Sequence, residues 1–160
     1  VTEEEPLRLA SFQGDAGALF AASLALREEV FCEEQGVPPE LERDALDGVA
    51  THVVLLEEPA DEGVAAASPP RAVATARVLV EDTVAKVQRV AVARARRGTG
   101  LGRRIMEAAE ELARQAGAAK ARLASQVTAI PFYERLGYRA RGPVFQDAGL
   151  DHRWMDKALR

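Results

Sequence analysis

The sequence predicts an α+β fold around one mixed sheet. Its periodic segments run in the order β-α-β-β-β-α-β-α-β-β, two β-rich runs at mid-chain meet at a two-residue turn, and a glycine-rich turn opens a strongly amphipathic helix. With 160 residues and 48% hydrophobic content, the chain suits a single domain over residues 1–160 with a substantial core.

Each element has its own signal. Residues 7–12 read as a short opening strand. Over residues 15–35 the period becomes helical, with Leu19, Leu26 and Val30 on one face and Phe20, Leu24 and Phe31 beside them. Gly36 is placed to stop this helix, and Pro38 and Pro39 prevent its continuation. Residues 40–48 are acidic and read as a solvated loop or a short turn of helix. Residues 52–57 form a strand. Residues 59–71, rich in Ala, Pro and Gly, are expected as a mobile loop between strands, not a domain boundary. Residues 72–81 and 84–93 make a hairpin across Asp82 and Thr83. The helix of residues 99–116 turns Leu101, Ile105, Ala108 and Leu112 inward and Arg103, Glu107, Glu110 and Arg114 outward, with Gly117 as its cap. A strand at 121–126, a short helix at 130–136 ended by Gly137, and strands at 138–141 and 152–159 complete the chain.

Composition narrows the function. A net charge of -4 argues against general nucleic-acid binding, which needs a basic face. The single cysteine, Cys32, excludes an internal disulfide and a cysteine-based zinc cage, and no metal site is expected. On its helix, beside Phe31, it reads as a packing residue. No secretory signal and no membrane-spanning apolar run is visible, so a cytoplasmic protein without membrane partners is expected.

The informative segment is Arg97-Gly98-Thr99-Gly100-Leu101-Gly102, between a strand and a helix. The first backbone N–H groups of a helix have no intrahelical partner and sit at its positive end, so such a turn can hold an anion. Glycine lets phosphate oxygens approach the backbone, and Arg94, Arg96, Arg97, Arg103 and Arg104 add charge. The plainer reading is a tight turn whose glycines serve geometry alone. A P-loop requires Lys and then Ser or Thr after its last glycine, where Arg103 and Arg104 stand. The dinucleotide fingerprint fails as well, because Arg103 occupies its third glycine position.

The same segment fits the R/Q-x-x-G-x-G/A signature of the GNAT superfamily of acyl-CoA N-acyltransferases. Residues 132–138, Phe-Tyr-Glu-Arg-Leu-Gly-Tyr, resemble that superfamily's F-Y-E-x-L-G-F/Y segment. Together with the strand at 87–92, the two blocks cover about a third of the chain. At the front, Arg27, Val30, Phe31, Glu34 and Gln35, then Asp44, Asp47 and His52, resemble the ElaA/YjcF-like branch. Residues 124–126 and Phe145, Gly149, His152 and Met155 are similar to its later segments. The resemblance implies a GNAT-like, mostly antiparallel central sheet flanked by helices on both faces, and acetyl-CoA as co-substrate.

It also implies transfer of the acetyl group by direct attack of a primary amine, on a small molecule or a peptide, within a ternary complex. Val90, Ala91 and Val92 are then expected to face the pantetheine arm with backbone groups, and the N–H near Val92 to polarise the thioester oxygen. Arg97, Gly98, Thr99, Gly100, Leu101, Gly102 and Arg103 are expected to hold the pyrophosphate, with Gln126 and Phe132 nearby. Tyr133 stands where this family places a general acid for the departing thiolate. The base that takes the amine's proton is open among Glu34, Asp44, Asp47, His52 and His152, histidine being best suited by its titration near neutrality. Trp154 fills core or lines the acceptor site. A non-catalytic CoA-binding sensor is the alternative function. A homodimer is compatible with the fold, and no interface is legible.

Overall fold

The structure, a computed structural model, describes residues 6–58 and 69–160, so the loop expected over 59–71 lies largely outside the described residues. Strands β1 (Leu7–Gln13), β2 (Thr51–Glu57), β3 (Arg71–Glu81), β4 (Val84–Val92), β5 (Lys120–Gln126), β6 (Arg139–Asp147) and β7 (Leu150–Ala158) form one sheet in the order β1-β2-β3-β4-β5-β7-β6. Every neighbouring pair is antiparallel except β4 and β5, which run parallel. The helices are α1 (Ala18–Arg27), α2 (Pro39–Glu42), α3 (Leu101–Gln115) and α4 (Ile130–Arg135).

Seven consecutive residues of β3, Ala72 to Val78, are buried, which requires cover on both faces of the sheet. Thr75 donates to Ser23 Oγ at 3.1 Å, so the odd positions face α1. The alternate residues Ala74 and Ala76, small enough for a close approach, lie on the side of α3. Asp82 makes the β3–β4 turn with a left-handed φ of 55°.

Four expectations need correction. The single helix of residues 15–35 is two segments. After Gly17, with φ 95°, α1 runs to Arg27, and Glu28–Glu34 winds more loosely as a π-helix before Gly36 stops it at φ 74°. The looser winding lets Arg27 point into the interior while Val30, Phe31 and Gln35 face an open groove.

The amphipathic stripe of α3 is centred on Ile105, Met106, Ala109 and Ala113, not on Ala108 and Leu112. Glu110 therefore faces inward. It is 3% exposed and accepts hydrogen bonds from Tyr138 Oη at 2.9 Å and Lys157 Nζ at 2.8 Å. β6 continues to Asp147 because Gly142 and Pro143 sit in an irregularity between Arg141 and Phe145 that shifts the register without ending the strand.

The fourth correction concerns the acidic stretch, which holds the expected short helical turns, at α2 and at Ala45–Gly48, but whose Glu42 and Asp47 are buried in an ion network and not solvated. Glu42 and Asp47 are 3% and 0% exposed. Arg27 binds Glu42 through Nε at 2.6 Å and Asp47 through Nη1 at 2.8 Å. Arg77, inside β3, binds Asp44 at 2.6 Å, Asp47 at 2.9 Å and Gln88 Oε1 at 2.8 Å. Arg89 completes the balance, three cations against three carboxylates, with Glu42 at 3.2 Å and Asp44 at 3.3 Å. Asp44 and Asp47 also cap each other's backbone N–H groups in the turn Ala45–Gly48. The network ties α1 and α2 to β3 and β4, and so fixes one wall of the groove described next.

Candidate functional site

β4 and β5 pair at only three positions, from Val84 with Lys120 to Lys86 with Arg122, and then part. The register of β4 against β3 shifts between Thr75 and Arg77, where Arg89 takes a left-handed φ of 56°. That conformation costs a non-glycine residue on the order of 1 kcal/mol. The cost is offset by what the turned side chain reaches, the carbonyls of Leu41 and Glu42 at 3.3 Å and the two carboxylates above. The bulge bends β4 away, and the opening between the two strands becomes a groove of about 980 Å³.

At one end of the groove lies the glycine turn. Gly98 and Gly100 adopt φ of 77° and 86°, and a Cβ at either would meet nothing within 4 Å, so open space lies above the backbone there. Gly100 is the N-cap of α3, whose first N–H groups lack intrahelical partners. At Gly102 a Cβ would come within 2.9 Å of Phe132 Cζ; glycine is needed for this close packing of helix on ring. Gly98, Gly100, Gly102, Arg97 and Arg103 line the groove. Thr99 and Leu101 do not. The Thr99 hydroxyl turns back to the Arg96 carbonyl, and Leu101 is 5% exposed in the core, so their side chains shape the turn from behind. Arg97 bonds the Val92 carbonyl at 3.2 Å and Glu34 at 2.8 Å.

Val90, Ala91 and Val92 of β4 line the groove, as do Gln126 at the end of β5 and Phe132 and Tyr133 of α4. Gln126 donates to Gln35 Oε1 at 2.8 Å, linking the end of β5 to the π-helical segment. The Tyr133 ring packs edge-on against Phe132 and Tyr138, with centroids at 4.9 and 5.8 Å. Burial pushes its hydroxyl well above the ordinary phenol range, so it stays protonated and can donate a proton but not accept one as a base.

Of the five candidate bases, only His152 lines the groove. Its Nδ1 lies 2.8 Å from the Leu150 carbonyl. A carbonyl only accepts, so Nδ1 carries a proton, and in the neutral ring Nε2 is the acceptor. His52 is corrected. It is 1% exposed, stacked on Phe12 with centroids 4.8 Å apart, and its Nε2 sits 3.1 Å from the Asp47 carbonyl. Burial lowers its pKa, which favours a neutral core residue. Asp44 and Asp47 are held by arginines, and Glu34 by Arg97, so none of the three presents a free carboxylate. Burial and the neighbouring glutamates raise the Cys32 thiol, the opposite of what a nucleophile needs.

Sequence reasoning misses Glu42, Arg89 and Arg122, all of which line the groove. Arg77, a lone charge within an apolar strand, is the one sequence signal that a buried anion awaits it. Trp154 is 38% exposed and lines the groove, so it does not fill the core. Among the described residues, no group of His, Cys, Asp or Glu is arranged to hold a metal ion, and no helix is long and apolar enough to cross a membrane.

Residues 25–159 match the family model of an acetyltransferase (GNAT) domain. The chain is 36% identical over 135 residues to the uncharacterized N-acetyltransferase YjcF of Bacillus subtilis, covering 82% of this chain and 87% of that protein. The solved structure of an acyl-CoA N-acyltransferase from Pseudomonas aeruginosa superposes with a TM-score of 0.75 at 26% identity, over 96% of this chain and 100% of that one. ElaA of Escherichia coli shares the fold with a TM-score of 0.77 at 24% identity, over 95% of this chain and 99% of that one.

Proposed function

The chain belongs to the GNAT acetyltransferase family, and we propose that it transfers an acetyl group from acetyl-CoA to a primary amine by direct attack in a ternary complex. One observation carries this reading: a single groove runs from the glycine turn, between β4 and β5, past Tyr133 to His152. A diphosphate fits the turn, where open space lies over Gly98 and Gly100 and helix N–H groups converge. An extended pantetheine fits the edge of Val90 to Val92, which β5 does not pair and where the Val92 carbonyl is held by Arg97.

Acetyl-CoA supplies the activated thioester. The chain's own residues orient it and move two protons. The amine nitrogen bonds the acyl carbon as the carbon–sulfur bond breaks. His152 Nε2 accepts the proton the amine gives up, and Tyr133 Oη donates one to the departing sulfur. The N–H near Val92 faces the carbonyl oxygen on which charge develops.

The test is release of the CoA thiol from acetyl-CoA across a panel of primary amines. Release is expected to depend on the amine, and His152→Ala is expected to lower kcat by about 100-fold, the low end for a general base. Tight acetyl-CoA binding with no amine-dependent release would mean a sensor and not a transferase.

A further inference from the structure

The acceptor half of the groove has a floor, and its side chains are ordered along it. Directly opposed residues of neighbouring strands project from the same face of a sheet. In the β5–β7 ladder, Gln126 opposes His152, Ala124 opposes Trp154 and Arg122 opposes Asp156. β6 extends the same rungs, with Phe145 opposite His152. These alternate positions are partly accessible in β5, while Ala121, Leu123 and Ser125 on the other face are buried.

Three rungs of different chemistry result. The first holds His152, with Phe145 stacked on it at 5.9 Å. On the second, the small Ala124 leaves room beside Trp154, whose indole is 38% exposed and stacks on Phe145 at 5.3 Å. The third is cationic. Arg122 binds the carboxylate of Asp156 at 3.0 Å, and Arg141, which stands opposite Trp154, reaches the same carboxylate diagonally at 2.6 Å. Lys86 opposes Arg122 across the last paired position of β4 and β5. The partner of Lys86 is Glu81, whose side chain is 71% exposed, an ion pair that holds little. Arg122 and Lys86 line the groove and Asp156 does not, so the groove meets the positive side of this cluster. Arg122 spends only Nε on Asp156; its terminal amino groups make no hydrogen bond among the described residues, and the pair is shaped for a carboxylate.

We propose that the acceptor is an elongated amine whose far end carries a carboxylate, bound by Arg122 and Lys86, with an apolar or aromatic middle lying on Trp154. The rungs set its length. Four residue steps of strand lead from Gln126 to Arg122, about 13 Å, and the reach of the arginine shortens the gap between reacting amine and anion to about 10 Å. The inference rests on the transferase reading above, since that reading places the reacting amine at His152.

The tripeptide Gly-Trp-Gly spans about 10 Å from amine to carboxylate when extended. Its rate of acetylation is compared with that of its C-terminal amide, for wild type and for Arg122→Gln. Wild type is expected to favour the free acid about tenfold in kcat/KM, through KM, as loss of a charge-assisted hydrogen bond implies. In Arg122→Gln the acid-to-amide ratio is expected to fall toward one, with Lys86→Gln lowering it less. Equal rates on acid and amide in wild type, a preference for the amide, or an unchanged ratio in Arg122→Gln would each overturn the assignment. Thermal stabilisation by acetyl-CoA is read in the same samples. Stabilisation with turnover of neither peptide overturns this acceptor class and spares the donor site, whereas no stabilisation overturns the donor site itself.

Discussion

Tyr133→Phe is expected to lower kcat by at least 100-fold while leaving acetyl-CoA affinity within about threefold of wild type. The substitution removes one oxygen. The ring keeps its edge-on contacts with Phe132 and Tyr138, so the wall of the groove and the stability of the fold should persist. The lost oxygen is the proposed proton donor, and burial holds that hydroxyl protonated far above neutral pH. Without it the sulfur must leave as a thiolate or find a proton in water. Steady-state CoA release gives kcat, and titration of acetyl-CoA into the variant gives affinity. An unchanged kcat would remove Tyr133 from the chemistry and return it to the role of a packed aromatic.

The second large effect is on stability. Arg27→Met is expected to destabilise the fold by about 3–5 kcal/mol, because it leaves Glu42 and Asp47 in the interior without their shared cation. A domain of this size holds roughly 5–15 kcal/mol in total, so the melting temperature should drop steeply. The double variant Arg27→Met/Glu42→Leu is expected to recover part of the loss, since it removes a buried charge along with its partner. Denaturant unfolding of wild type, both single variants and the double closes the cycle. Additive losses would mean the residues do not act as a unit.

Acid should find the same network. Burial pushes the Asp47 carboxyl up, but hydrogen bonds and charge from Arg27 and Arg77 outweigh it and bring the group down to about 2. A carboxyl lower in the folded than in the unfolded chain stabilises fully above the unfolded value. That contribution, on the order of a few kcal/mol, is lost as pH falls from about 4 through 2. The loss below pH 4 should shrink in Asp47→Asn, which no longer titrates there.

The glycine turn of the groove was largely legible in the sequence, and the reason is physical. Its shape lies in backbone conformation, and glycine is the residue that records it. Gly98 and Gly100 sit at positive φ, and Gly102 allows the approach of Phe132, so the spacing 98-100-102 encodes the geometry directly. The bulge at Arg89 is as important for opening the groove, yet a non-glycine residue at φ 56° leaves no local mark. Its stability comes from Glu42 and Asp44, more than forty positions away in the chain.

The same distance explains why the burial of Glu42 and Asp47 was missed. Acidic residues near Pro and Gly look solvated until Arg27, Arg77 and Arg89 arrive from three other elements. His52 and His152 are indistinguishable as residues, and only packing separates them. One stacks on Phe12 in the interior, and the other faces the groove. Glu110 was misplaced because a stripe counted from Leu101 drifts around α3, and Ala109 and Ala113 take the buried positions.

The most direct test of the donor site is a calorimetric titration of CoA into wild type and Gly100→Glu. At Gly100 the φ of 86° makes glutamate locally strained, but nothing lies within 4 Å of the new Cβ, so the fold should stand. The added carboxylate would sit over the turn where the diphosphate is expected, and both bulk and like charge would oppose it. Wild type should bind one CoA per chain, and Gly100→Glu should weaken that binding at least 100-fold. Equal affinity in the two proteins would contradict the placement of the cofactor at the glycine turn.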